Sequence, residues 1–388
     1  MSQQENKPNE RYAHFIGKTV GDRYQVKMFI GKGGMAIVFK GFDVKLNRIV
    51  AIKVVDLKTL QKGNKQRLIN EAHAIAQLNH PYIIQIYDIV EEQGHGYIVM
   101  QFVDGFNFET LLKNNNFTWK QIATIIKNIA HAVFYAHKKG LIHRDIKTSN
   151  ILISAKENRC YLMDFGLVTN AHDDTRLTPE GAIVGTPDFM SPEQAKGESI
   201  DHRADIYSLG VVMYEALTKE RCITATNSFA AIIQIVQEKP IPPREINSEI
   251  PPALEAICLK AMEKNREDRY QTALEMVKQL EGFLLAQKRA LEEPIAAATP
   301  QFQESKTQIV NINEKKTQIV DLSKKKTQIV DLSKTKRNKL TSRNKMTSRT
   351  RKSKKYARKH RKNQNEYLGI WIVIISILVI LIIVSQLQ

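Results

Sequence analysis

"HRDIKTSN" runs from His143 to Asn150, and "MDFG" follows at Met163–Gly166. The first stretch places Asp145, Lys147 and Asn150 within six residues of one another. A carboxylate can take a proton from a hydroxyl, and a lysine can neutralise a phosphoryl group in transfer. An asparagine amide oxygen can ligate a metal ion. Asp164 supplies a second hard oxygen donor suited to Mg²⁺. Each triplet is common by chance; the two in this order and at this gap are not. Helical-type sequence, "NIAHAVFYAHKKG", precedes the first motif, so the reactive residues fall in a loop after a helix.

Toward the N-terminus the pattern turns to strands. "YQVKMFI", "AIVFKGFD" and "RIVAIKVV" are short β-type runs from Tyr24 onward. The helical stretch "KQRLINEAHAIAQL" and two further strands, "IIQIYDIV" and "GYIVMQFV", follow them. "IGKGGMAIV", Ile30–Val38, lies between the first two strands. Its Gly31, Gly33 and Gly34 allow backbone amides to approach anionic oxygens, although glycines between strands also simply make hairpins. Lys53 ends "VAIK" on a buried-type strand and needs an anionic partner, because an unpaired buried ammonium is costly. Glu71, on the next helix, is the natural candidate, and a solvated surface lysine is the plainer alternative. After Gly105 the chain reads as mostly helical to about Gly282, broken by a loop-rich stretch over 140–195. A small β-rich lobe followed by a larger helical lobe is an α+β bilobal layout.

In these motifs and their order the chain resembles the Hanks-type (eukaryotic-like) Ser/Thr protein kinases, in particular their bacterial membrane-bound branch. The resemblance covers about residues 24–283. It includes the Gly-rich loop, "VAIK", Glu71, "HRDIKTSN" and "DFG", then "GTPDFMSPEQ" at 185–194, "DIYSLGVVMYE" from Asp205, and Arg269. It implies an N-lobe over 24–100, a hinge at 101–104 and a C-lobe over 105–283, with ATP and Mg²⁺ (or Mn²⁺) as cofactors and protein hydroxyls as substrates. Lys53, paired with Glu71, would hold the α- and β-phosphates, and Asp164 and Asn150 would bind the metal ions. Asp145 would orient and deprotonate the incoming hydroxyl, and Lys147 would steady the γ-phosphate. Ile30, Gly31, Lys32, Gly33, Gly34, Met35 and Ala36 would cover the nucleotide. Val38, Ala51, Leu152 and the gatekeeper Met100 would line the adenine pocket, with hinge backbone from Gln101 to Val103. Ile75, Ile86, Phe165 and His143 match an apolar spine that stacks only in the active arrangement.

The chain departs from the family pattern in two places. Ala36 replaces the third loop glycine, and "SPE" at Ser191–Glu193 replaces "APE". Neither removes a reactive group. Lys147 and Thr186 fit the Ser/Thr-specific rather than the tyrosine-specific pattern. Arg144 before Asp145 implies regulation by an activation-loop phosphate. The candidates are Thr175 and Thr178; Thr178 occupies the first of two positions where relatives carry threonines, and Glu180 occupies the second.

Beyond the domain the composition changes. Residues 291–388 hold 21 Lys/Arg against 7 Asp/Glu, which is 14 of the chain's 18 net positive charges. Three well-separated cysteines, Cys160, Cys222 and Cys258, argue against a disulfide framework or a zinc site. "LGIWIVIISILVILIIV", Leu368–Val384, is 17 uncharged residues, about 25 Å as a helix and the short end of a membrane span. Tyr367 and Trp371 sit at one end, and Lys334–Lys362 carries 15 basic residues with no acid. That excess places the preceding side in the cytoplasm.

The expectation is therefore a flexible segment over 1–23, the kinase domain over 24–283, a disordered basic linker over 284–366 and one transmembrane helix over 367–385. The protein would be tail-anchored, single-pass, with its kinase domain in the cytoplasm of a bacterial inner membrane. The basic stretch suits anionic membrane lipids better than nucleic acid, since Tyr356 is its single aromatic. Within the linker, "KTQIV" recurs three times over 306–335. Thr307, Thr317 and Thr327 each have a valine three residues on, the pattern that forkhead-associated domains read once the threonine is phosphorylated. A plain spacer grown by duplication is the alternative. Tethered copies could also pair transiently for autophosphorylation. Three classes of function stand: an active membrane-tethered kinase, a kinase-fold scaffold, and a nucleic-acid-binding protein with a vestigial kinase domain.

Overall fold

Val50, Ile52 and Val54 alternate with Ala51, Lys53 and Val55 along a single strand, and the two sets meet different neighbours. This period of two builds the small lobe around a two-faced sheet. The computed structural model describes residues 10–33, 36–59, 62–165, 187–225 and 227–292.

Six antiparallel strands form the small lobe in the order β1-β2-β3-β4-β6-β5. They are β1 (Thr19–Val20), β2 (Tyr24–Gly33), β3 (Ala36–Asp43), β4 (Arg48–Asp56), β5 (Ile86–Glu92) and β6 (His95–Gln101). Helix α1 (Lys62–Ala76) joins β4 to β5. On the outer face Val50, Ile52 and Val54 pack with Phe39, Tyr97, Val99 and Phe15. On the inner face Ala51 and Val55 join Leu68, Ala72 and Ile75 of α1 in the cluster that continues into the large lobe.

The large lobe holds β7 (Phe106–Asn107), α2 (Phe108–Asn114), α3 (Trp119–Lys138), β8 (Ile151–Ser154), β9 (Arg159–Leu162), α4 (Pro192–Lys196) and α5 (Arg203–Thr218). It ends with α6 (Ser228–Gln237), α7 (Pro243–Ile246), α8 (Pro252–Ala261) and α9 (Ala273–Glu292). Thr118 and Gln121 close a capping box at the start of α3, whose Ile122, Ile126, Ile129 and Val133 are buried at helical spacing. Fourteen of the sixteen residues of α5 are buried, so it is a central helix with no solvent face. Ser191 caps α4 through a second capping box, and Gly197 ends that helix at φ 70°, a left-handed turn suited to glycine. Strands β7, β8 and β9 form a small separate sheet beside the cleft.

Three predicted boundaries shift. The run predicted as a strand from Ile83 becomes β5 only at Ile86, because the backbone before it bonds elsewhere. Ile84 donates to the Leu162 carbonyl (3.0 Å) and Leu162 donates to that of Tyr82 (2.8 Å). These bonds tie β9 to the approach of β5. The loop-rich 140–195 stretch contains the β8–β9 hairpin, whose strands of four residues are too short to show a period. The segment expected to be flexible over 1–23 is folded from Glu10: a 3₁₀ turn over Glu10–Phe15 packs on the outer face of the sheet and β1 forms its edge strand. Helix α9 runs to Glu292, past the boundary expected at 283. Among the described residues no helix is long and apolar enough to cross a membrane; the predicted span and the KTQIV repeats lie outside them.

Candidate active site

The loop between α3 and β8 carries the catalytic motif on a strained backbone. Arg144 has φ 65°, a left-handed conformation that costs a non-glycine residue energy and must be held by its surroundings. Asp205, in the first turn of α5, supplies much of that grip. Its Oδ2 accepts from the His143 N–H and its Oδ1 from the Arg144 N–H, each at 2.8 Å, and His137 Nε2 lies 2.8 Å from Oδ2. Burial alone would push the Asp205 carboxyl up. The histidine contacts and the amide bond outweigh it and hold the group below the usual carboxylate range. From α4, Gln194 Nε2 donates to the Arg144 carbonyl (3.1 Å).

His143 is fully enclosed, and burial pushes its pKa down. Its Nδ1 accepts the Asp145 N–H (3.2 Å), so the proton of the neutral ring sits on Nε2, which faces the Met163 carbonyl at 3.0 Å. The same ring lies 4.5 Å from that of Phe165. One neutral imidazole thus fixes the catalytic loop to the segment that carries Asp164.

The reactive groups converge between these supports. Lys147 Nζ lies 2.7 Å from Asp145 Oδ2. Asn150 Nδ2 donates to the Asp145 carbonyl (2.8 Å) and to its Oδ2 (3.0 Å), which commits the amide nitrogen and makes the amide oxygen the end able to ligate a metal. Asp164 also has a left-handed backbone, φ 57°, and its Oδ1 lies 2.8 Å from Lys53 Nζ. Lys53 is buried on β4, where it pairs in register with Val38 of β3. The sequence pairs this ammonium with Glu71; the contact described here is to Asp164, and Glu71 sits half-buried on α1.

Around these groups Ala51 and Met100 are buried register partners across β4 and β6, Val103 is buried, and Val38 and Leu152 pack against the same core. The Gln101 N–H is already bonded to the Gln85 carbonyl (2.8 Å). Ile75, Ile86 and Phe165 line one small apolar cavity with Met100, and the His143 ring lies 4.5 Å from that of Phe165 at a 39° tilt, so the four spine residues gather in one region. Ile30, Lys32 and Ala36 lie at the hairpin of β2 and β3, and a Cβ added at Gly31 or Gly33 would meet nothing within 4 Å. Gly34, Met35, Thr175, Thr178 and Thr186 lie outside the described residues. A buried ammonium, a carboxylate and an amide oxygen at the mouth of an apolar slot fit a nucleoside triphosphate with a divalent cation. Asp205, Gln194 and His137 are given no role in the sequence reading, although Asp205 and Gln194 fall within the quoted "DIYSLGVVMYE" and "GTPDFMSPEQ" stretches; the partners that define their role are distant in the chain.

Fold and site together are those of a protein kinase, and the chain belongs to that family: the protein kinase domain matches residues 24–280. The relatives it resembles include bacterial serine/threonine-protein kinases. A probable serine/threonine-protein kinase of Clostridium perfringens is 36% identical over 299 residues, 76% of this chain and 43% of the relative. Serine/threonine-protein kinase PknB of Mycobacterium leprae is 39% identical over 263 residues, 66% of this chain and 42% of the relative. PknB of Mycobacterium tuberculosis shares 39% over 264 residues, again 66% and 42%. The matched part is less than half the length of each of these relatives.

Proposed function

We propose that this chain is an ATP-dependent Ser/Thr protein kinase. The observation that carries this is the Asp145–Lys147–Asn150 cluster facing the Lys53–Asp164 pair, all on braced backbone. ATP with Mg²⁺ or Mn²⁺ would supply the phosphoryl group and neutralise its charge. Asn150 and Asp164 would hold the cation, and Lys53 would sit against the phosphates. Asp145 Oδ2, held by Lys147 and Asn150, would orient the incoming hydroxyl and take its proton. Ala51, Met100 and Leu152 would wall the adenine, and the acceptor would be a protein hydroxyl, as the names of the serine/threonine-protein kinase relatives state for those proteins.

Activation follows from Arg144. Phosphate on Thr178 would pair with its guanidinium, and Glu180 would supply part of the charge permanently. Thr178→Ala is expected to lower turnover at least several-fold. A phosphosite map of the active chain beside Asp145→Asn should show Thr178, Thr307, Thr317 and Thr327 modified only in the former. Phosphate absent from all three KTQIV threonines would leave the repeat a plain spacer rather than a docking strip for a forkhead-associated partner.

We propose further that 367–385 anchors the chain in a bacterial inner membrane, with 284–366 as a basic linker against anionic lipids and the catalytic domain in the cytoplasm. Seventeen uncharged residues behind 15 basic ones support this. The full chain should sediment with membranes after alkaline carbonate washing, and a chain ending at 366 should not. Recovery of both in the soluble fraction would contradict the anchor.

A further inference from the structure

We propose that residues 10–20 are a built-in brace on the roof of the nucleotide site and that Tyr12 is a positioning residue for ATP, acting through Phe29. The segment lies outside the matched kinase domain, which begins at residue 24, yet it is folded onto that domain. Phe15 anchors it. That side chain is buried on the outer face of the sheet, with ring centroids 5.7 Å from Phe39 and 5.3 Å from His95. The Gly17 N–H donates to the Val26 carbonyl and the Val26 N–H to that of Lys18, both at 2.9 Å, and β1 continues the pairing with β2.

Ahead of this anchor Tyr12 reaches the roof strand. Its ring is stacked on Phe29 with 6.2 Å between centroids and an interplanar angle of 8°, and Lys32 Nζ lies 5.8 Å from the Tyr12 centroid. Phe29 and Lys32 flank Ile30 and Gly31, so a single ring meets the strand on both sides of the first two residues of the stretch that would cover the nucleotide. The location is where the roof is weakest. The β2–β3 ladder shifts register between Val26 and Met28 and again between Phe29 and Gly31, and a bulged strand gives up regular ladder bonds. Stacking and a cation over the ring replace that support from outside the sheet. A roof held in one position costs less to order when ATP binds, so losing the brace should weaken nucleotide binding and leave the chemical step alone.

This inference rests on the ATP-dependent reading above, and its test separates the two. ATP kinetics of the full chain on a basic threonine peptide, with wild type, Tyr12→Ala, Tyr12→Phe and Asp145→Asn, carry the first arm. Tyr12→Ala is expected to raise KM for ATP about 3–10-fold with kcat within about twofold. Its melting temperature should stay near wild type, and Tyr12→Phe, which keeps the ring, should restore KM. An unchanged KM in Tyr12→Ala would overturn the brace, as would a loss of kcat that follows a fall in melting temperature. Direct titration of Mg-ATP on wild type and Tyr12→Ala is the second arm. If wild type transfers no more phosphate than Asp145→Asn, the kinase reading fails, and this titration still decides whether Tyr12 positions the roof.

Discussion

Asp145→Asn is expected to lower kcat by about 10²–10⁴-fold, the range that a positioned general base contributes. KM for ATP should change little, because Lys53, Asp164 and the apolar slot are untouched. The substitution keeps size and shape, and the new amide can still accept from Asn150 Nδ2 through its oxygen. It loses the charge that holds Lys147 Nζ at 2.7 Å and the lone pair that would receive the hydroxyl proton. Asp145 is only half-buried, so the variant should fold with a near-native melting temperature, and the loss then belongs to chemistry. A kinase-fold scaffold predicts a different outcome: equal, negligible turnover in both proteins, with partner binding preserved. Steady-state kinetics at saturating ATP separate the two.

Arg269→Ala is the largest expected loss of stability. All of the guanidinium's polar atoms are occupied in an environment where its side chain has 0% exposure. Nη1 and Nη2 meet the two Glu193 oxygens at 2.7 and 2.8 Å, and Nε donates to the Glu263 carbonyl at 2.7 Å. Further bonds reach the carbonyls of Lys264 and Arg203. Removing the arginine leaves Glu193 as a buried, unpaired carboxylate, which costs about 3–5 kcal/mol. Arg269→Lys should fare little better, since an ammonium cannot reproduce the two-pronged bond. Urea unfolding at pH 7 should show a lower midpoint with an unchanged slope.

The same pair sets an acid dependence. Burial pushes the Glu193 carboxyl up, but the bonds and charge of Arg269 outweigh it and hold the net pKa below the usual value. A carboxyl whose folded pKa is lowered contributes stability that is present above its unfolded pKa, about 4.3, and lost as pH falls through the folded value. Arg269→Ala should lack this part of the acid slope. Because Gln194, next to Glu193, holds the Arg144 carbonyl, the variant should also lose activity before it unfolds.

Much of the site is legible in the sequence because its residues are local. Asp145, Lys147 and Asn150 share one loop, and their contacts follow from spacing alone. The strands from Tyr24 to Gln101 are legible because they are short β-branched and aromatic runs bounded by turn residues: β3 alternates between buried and half-buried positions, whereas β4 and β6 are continuous buried stretches. Residues whose partners lie far along the chain are not legible. Asp205 reaches His137 across 68 residues and Arg269 reaches Glu193 across 76, so neither pairing leaves a local pattern. Tyr12 and Phe15 are two rings in a polar stretch, too few to give a period, and only the folded sheet shows what they cover. The Lys53 contact with Asp164 depends on how the two lobes meet, which no stretch of sequence encodes by itself.

The central claim is transfer of the γ-phosphoryl group of ATP to protein hydroxyls. The most direct measurement is phosphoamino-acid analysis of the wild-type chain and an added protein substrate after incubation with γ-labelled ATP and Mg²⁺. Label on threonine and serine, absent from tyrosine and absent when Asp145→Asn is used, is the predicted result. Label on tyrosine, or ATP hydrolysis with no label on protein, would contradict it.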